Sequence, residues 1–189
     1  MKFKRYIVLT LSLLPAIAIA AVDLSEQKLK VKILTARHIG LNPMIVDSVN
    51  RQNSEKNSLK KIKNIDEKWK NTKGLSALKL SLQNNEAGLY LKSIVEKNPD
   101  ISEAFLTDMQ GANVASYPAT SDYWQGDEKK WQASFNNGEG KVYIGPLKVD
   151  ESTNIAAVQI SAPVIDYRNE RKTIGVIVIG VTSDYLMSK

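Results

Sequence analysis

The stretch from Gly145 to Val164 reads GPLKVDESTNIAAVQISAPV and contains the clearest β-strand in the chain. It opens with a Gly-Pro turn, passes an acidic segment and then becomes rich in β-forming residues. From Val158 to Ala162, apolar residues alternate with Gln159 and Ser161, so the strand is predicted to have an apolar face over a core and a polar face opposite. Pro163, which has no N–H group to donate, is predicted to end the strand.

The chain around this strand changes its hydrophobic period halfway along. After residue 100, a Gly111 turn joins two short strand patterns into a predicted hairpin, and a short helix is predicted over residues 128–135. The remaining strand patterns bring the total to five. The five predicted strands cover residues 102–108, 114–117, 141–144, 155–162 and 172–182.

The first half of the chain has the helical period instead. Apolar residues recur every three or four positions from Leu59 to Trp69, which predicts an amphipathic helix, and Asn98-Pro99 ends the last helical segment. Other helices are predicted over residues 22–39, 44–50 and 75–97, and the polar residues 51–58 are predicted to form a loop. The sequence therefore predicts an α+β fold, with long N-terminal helices packed on a five-stranded antiparallel sheet.

The N-terminus has the pattern of an export signal. Three basic residues precede an apolar run over residues 7–20, which ends in the small-residue sequence Ala18-Ile19-Ala20. We predict a cleavable signal peptide at residues 1–20 and a periplasmic location. Residues 21–189 are predicted to form a single domain, with a helical half (22–99) and a sheet half (100–189).

Composition excludes several kinds of chemistry. The chain has no cysteine and one histidine, His38, so a Cys-His pair is absent and a Ser-His-Asp triad would need His38 to reach the sheet. We find no metal-ligand spacing and no phosphate-binding loop, so we expect no enzyme activity, cofactor or metal. The net charge of +6 owes much to the run Lys56–Lys73, which we interpret as a solvated helix face rather than a nucleic-acid site.

Several stretches together resemble one family. They are GPLKVDEST and QISAPV in the opening segment, LTDMQGANVAS at residues 106–116 and SDYWQGDEKKW at residues 121–131. Their order resembles that of Cache domains, the PAS-like extracytoplasmic sensors of bacteria that are also called PDC sensors. The resemblance implies that a small ligand lies between the polar strand face and the loop that precedes the short helix.

The resemblance also points to candidate ligand-binding residues. Many Cache sensors of amino acids carry Arg-x-Trp-Tyr in the short helix, where this chain has Lys129-Lys130-Trp131-Gln132; Lys129 would hold a carboxylate, without the two-pronged grip of arginine. Asp150 would hold an amine. Each candidate also has an interpretation without a ligand. Lys129 would be a surface lysine, Asp150 a turn residue, and Gln159 and Ser161 residues of a solvent-facing strand. The aromatic residues would belong to the core. The full candidate set is Tyr117, Asp122, Tyr123, Trp124, Lys129, Trp131, Tyr143, Asp150, Gln159 and Ser161.

These observations leave three hypotheses. The first is a binding module for a small polar metabolite (an organic acid, an amine or an amino acid) that signals through a membrane sensor or another envelope protein, because no output domain follows before Lys189. The second is a ligand-free interaction protein of the same fold, which should expose an apolar patch. The third is an exported enzyme, which requires His38 beside a carboxylate in a cleft.

Overall fold

The computed structural model describes the backbone of residues 14–188 and the side chains of residues 25–188. Residues 1–13 of the predicted signal peptide lie outside this range, and residues 14–20 belong to the first helix. No helix among the described residues is long and apolar enough to cross a membrane. The helices are α1 (Leu14–Gly40), α2 (Pro43–Ser54), α3 (Leu59–Asn71), α4 (Ala77–Asn84), α5 (Glu86–Lys97), α6 (Lys129–Phe135) and α7 (Ser183–Met187).

The described strands form one five-stranded antiparallel sheet in the order β2-β1-β5-β4-β3. The predicted α+β fold, with long N-terminal helices packed on such a sheet, is therefore confirmed. The division into a signal peptide and a single domain remains a prediction. The strands are β1 (Ile101–Thr107), β2 (Asn113–Tyr117), β3 (Tyr143–Val149), β4 (Ala156–Asp166) and β5 (Lys172–Thr182).

Helix α2 extends further than the sequence pattern suggested. The loop predicted over residues 51–58 is wrong for its first four residues, which form the last turn of this helix. The side chains of Gln52 and Asn53 bond the sheet and the turn after β1, whereas Arg51 and Ser54 are exposed. Asn53 donates a hydrogen bond to the carbonyl of Ile174 at 2.9 Å, and Gln52 donates one to the Asp108 carboxylate at 2.9 Å.

Strand β3 replaces the predicted turn at Gly145-Pro146. The strand was predicted over residues 141–144, but it begins at Tyr143 and runs through the Gly-Pro pair to Val149. Its register against β4 shifts between Ile144 and Leu147. Because β3 lies at the sheet edge and the proline falls within this irregularity, the missing N–H is tolerated.

Strand β4 continues through Pro163, so the prediction that this proline ends the strand is wrong. Pairing with β3 stops at Ser161, and β4 is bordered only by β5 beyond that point. Pro163 therefore lies on an edge segment, where a missing N–H is tolerated, and the strand extends to Asp166.

The two faces of the sheet pack against different helices. On one face, α1, α2 and α5 cover fully buried side chains that include Ile160, Ile177 and Ile179. Burial of each contributes about 1.5–3 kcal/mol. On the opposite face, α6 alone packs over a small apolar cluster, and the area beside it is left to polar groups. That cluster consists of Phe105, Val176 and Val178, with Trp131 and Phe135 packed against it.

Candidate functional site

A polar cleft lies beside α6 on the second face of the sheet. It is bounded by the start of α6, the end of β3 and the loop of residues 118–127, and its volume is about 130 Å³. Gln159 of β4 lines it between the charged groups. The charged side chains that line it are Asp122, Glu128, Asp150, Glu151, Lys130 and Lys148.

The floor beneath the polar cleft is a row of three residues on adjacent strands, of which Gln159 lines the cleft itself. Gln159 of β4 pairs with Gly180 of β5, which pairs with Glu103 of β1. A Cβ atom on Gly180 would lie 2.7 Å from Cγ of Glu103, so only glycine leaves room for the glutamate to lie across β5. The Gln159 amide then donates to Oε1 of Glu103 at 2.7 Å.

The turn between β3 and β4 holds Asp150 at the rim of the floor. One Asp150 oxygen accepts the backbone N–H groups of Ser152 and Thr153 at 2.9 and 3.0 Å, and the other accepts the Gln159 amide at 3.2 Å. Partial burial would raise the pKa of Asp150, but the hydrogen bonds from Ser152 and Thr153 hold the pKa below its ordinary value. Asp150 is therefore a stable anion, and the expectation of a turn aspartate also holds for it.

Glu103 is the most deeply buried acid of the site, with 2% of its surface exposed. Burial and the neighbouring charge of Asp150 raise the pKa of Glu103 to about 7, against the opposing effects of the Gln159 hydrogen bond and the charge of Lys130. Its second oxygen lies 3.4 Å from the Ser152 hydroxyl. Glu103 therefore titrates near neutral pH beneath the cleft.

Lys130 brings a cation to the same place. Its ammonium group lies 5.2 Å from the centre of the Phe105 ring and 3.8 Å from a Glu128 oxygen, and only 16% of its side chain is exposed. Across the cleft, burial and the charge of Glu128 raise the pKa of Asp122, while Lys70 and Lys130 oppose the rise. The cleft thus holds both signs of charge in partly desolvated positions.

Helix α3 fixes the loop that carries Asp122. One oxygen of Asp66 accepts the backbone N–H groups of Tyr123 and Trp124 at 2.9 and 3.1 Å. The indole of Trp69 donates to the carbonyl of Thr120 at 2.9 Å. The wall of the cleft is therefore attached to the helical half of the protein.

The structure brings half of the predicted site residues to this region. Asp122, Asp150 and Gln159 line the polar cleft. Lys129 and Tyr143 line an adjoining cleft of about 190 Å³, which shares Gln159 and three charged side chains with the first. The role of these five residues in ligand binding remains a prediction.

The other five predicted residues lie elsewhere. Trp131 stacks on Phe135 on the side of α6 that faces the sheet. The buried Ser161 hydroxyl has no hydrogen-bond partner among the described residues. Tyr117 lies on the opposite face, where it bonds Glu96, while Tyr123 and Trp124 pack toward α3 rather than the sheet. The loop turns its aromatic rings toward the helices, which is why the predicted aromatic pocket wall is not at the cleft.

Sequence reasoning missed Glu103 and Lys130. Glu103 had a detectable signal, since this charged residue directly precedes the apolar run from Ala104 to Leu106 in a predicted strand. Lys130 is adjacent to the predicted Lys129, and the point at which α6 begins decides which of the two lysines faces Phe105.

The structure places His38 away from the polar cleft. His38 is exposed on α1, which packs against the opposite face of the sheet from the cleft. Within residues 25–188, no group of three or more histidine or acidic side chains is placed to hold a metal ion.

No family model and no curated protein matches the chain. The extracellular domain of rpHK1S-Z16, assigned as a histidine kinase, is 12% identical with a TM-score of 0.44, and the match covers 90% of this chain and 60% of that one. The ligand-binding domain of the Campylobacter jejuni chemoreceptor Tlp3, in complex with 4-methylisoleucine, is 15% identical (TM-score 0.43), with 86% and 62% covered. The E. coli DcuS sensor domain is 19% identical (TM-score 0.39), with 76% and 95% covered. The chain spans about three fifths of the length of the first two structures.

Proposed function

We propose that the protein binds a small polar metabolite in the polar cleft. The observation that carries this proposal is the convergence of charged side chains from three separate segments on a buried floor of Glu103 and Gln159. Keeping such groups partly out of water costs free energy that folding alone does not recover. A ligand with complementary charges would offset that cost.

The size of the polar cleft limits the ligand. Its volume of about 130 Å³ corresponds to roughly four water molecules at about 30 Å³ each. A single amino or carboxylate group with a few carbon atoms fits this space. Extension into the adjoining cleft would admit a molecule of the size of an amino acid.

The proposed role of binding is sensing in the periplasm. The ligand would contact the loop of residues 118–127, which Asp66 and Trp69 connect to α3. Stabilisation of that loop would shift the position of the helical half, and a partner membrane or envelope protein would detect the shift.

A thermal-shift screen tests this proposal without assuming the charge of the ligand. The panel contains organic acids, amines and amino acids, and a ligand at about a hundred times its Kd should stabilise the protein by about 2.7 kcal/mol, or several degrees. Ser121→Trp places a large ring at the exposed mouth of the cleft and should abolish the shift. Ser81→Trp, on the exposed face of α4, is the matched control and should keep it. A shift that persists in Ser121→Trp, or the absence of any shift across the panel, would contradict ligand binding in this cleft.

A second candidate function is protein interaction through α1. Val31 and Leu34 lie three positions apart on this helix and are 53% and 51% exposed, and Leu41, directly after its last residue, is 38% exposed. An apolar stripe of this kind is typical of a surface that another protein covers. If another copy of the chain or a partner protein covers this stripe in solution, Leu34→Glu should lower the sedimentation coefficient of the protein or remove a partner that co-purifies with it.

A further inference from the structure

We propose that Glu103 determines which ligands the polar cleft accepts: the cleft takes an organic cation, such as an ammonium or guanidinium group, and its binding expels the proton of Glu103 into solvent. This inference rests on the proposed function, because it names the ligand class and the pH dependence of the same site. It is carried by the way two carboxyl groups share one donor.

The floor of the cleft is one positive group short. Nε2 of Gln159 is the only side-chain nitrogen that the structure places within hydrogen-bond distance of Glu103 among the described residues, at 2.7 Å, and the same atom reaches Asp150 at 3.2 Å. The remaining contact of Glu103 is with the Ser152 hydroxyl, which also lies 2.6 Å from Asp150. Asp150 has backbone donors of its own in Ser152 and Thr153 and stays ionised, so the shared amide of Gln159 is the main donor left for the buried Glu103.

The charged groups that face Glu103 do not make up this deficit. Asp150 faces it from the turn between β3 and β4, and Lys130 faces it from α6. Lys130 is shared with Glu128 and the Phe105 ring. Without a cation in the cleft, burial and the charge of Asp150 therefore favour the protonated form of Glu103 and raise its pKa to about 7.

A bound cation supplies what is missing. An ammonium group bound to Asp150 above Gln159 would lie close to the buried Glu103, and its charge would favour the ionised form of Glu103. One positive charge enters the floor and one proton leaves to solvent, so the net charge of the site is unchanged. The excess of acidic groups along the walls, four carboxylates against two lysines, favours the same sign of ligand.

Lys130 and Lys148 could instead bind an anion. Anion binding and cation binding would depend on pH in opposite directions. A carboxylate bound to Lys130 and Lys148 would place a further negative charge beside Glu103 and would hold its proton more tightly. Affinity for an anion would then fall as pH rises, whereas affinity for a cation would rise. The direction of the pH dependence therefore decides between them.

Isothermal titration calorimetry with ethanolamine, 1,4-diaminobutane and guanidine as probes tests the inference. Affinity of at least one probe should rise by up to about tenfold per pH unit between about pH 5 and 7 and level off above. Near pH 6, in buffers with different ionisation enthalpies, binding should release close to one proton. Glu103→Gln should remove the pH dependence and weaken binding at about pH 8 by about tenfold or more, while Glu67→Gln, an exposed residue of α3, should keep both.

The outcomes separate the two levels of the proposal. Acetate and succinate are titrated under the same conditions as the cations. If only these anions bind, or if the cations bind with no pH dependence and no proton release, the inference is overturned while the cleft remains a ligand site. If no compound of either sign binds, the proposed function fails as well. Should Glu103→Gln not fold, the side-chain carboxyl carbon of Glu103 is followed by NMR in the wild-type protein near pH 6. Its ionisation on saturation with the cation supports the inference, and an unchanged resonance refutes it.

Discussion

Replacing Glu103 with glutamine should change how the stability of the protein depends on pH. Burial and the charge of Asp150 raise the pKa of Glu103 from 4.5 to about 7. Between these values the unfolded chain loses the proton and the folded protein keeps it, so the free energy of unfolding falls as pH rises through this window and is constant above it. At about 1.4 kcal/mol per pH unit, the loss is about 3 kcal/mol.

The glutamine variant retains the shape of the side chain but has no proton to lose. Urea unfolding at about pH 5 and pH 8 should therefore show that Glu103→Gln gains about 3 kcal/mol relative to wild type on going from the lower pH to the higher. The exposed Glu67→Gln variant should show no such gain. An equal stability difference between Glu103→Gln and wild type at both pH values would refute the assignment of Glu103 as a group that titrates near neutrality.

Two further substitutions test the framework around the cleft. Asp66→Ala leaves the buried backbone N–H groups of Tyr123 and Trp124 without their acceptor, so urea unfolding should show a loss of about 3 kcal/mol, and a loss below about 1 kcal/mol would contradict the anchoring role. Gly175→Ala places a Cβ atom within 2.1 Å of the Thr107 carbonyl oxygen, so thermal unfolding should show a free energy of unfolding lower by about 3 kcal/mol or more. An unchanged Tm would show that β1 and β5 separate more easily than their packing implies.

The fold was largely predictable because its signals are local. Strand β5 is specified by its run of β-branched apolar residues and helix α3 by the period of its apolar residues, and Asn98-Pro99 marks the change from helices to sheet. The errors fell where a neighbour overrides a local rule. Pro163 would end a central strand because it lacks an N–H group, but β3 begins only at Tyr143, opposite Ser161, so this part of β4 is an edge, where proline is tolerated.

The site was predictable only in part because its residues are distant in the sequence. Gln159 and Asp150 were recognised from the alternation of one strand and from the turn before it. Glu103 was not, because its role depends on pairing across Gly180, a contact between residues more than fifty positions apart. The aromatic residues of the loop do pack into a cluster, but local sequence does not determine whether their rings face the sheet or the helices.

The sequence by itself determined which segments are helices and strands, and that one strand has polar groups on one face. Periodicity encodes this, because each residue's preference depends on its near neighbours. Only the tertiary structure decided that Glu103, Gln159 and Asp150 meet on one floor, and that Glu103 is cut off from water there. The physical reason is that burial and the charge of a distant neighbour, which set the pKa of an acid, are properties of the packed chain and of no single stretch of it.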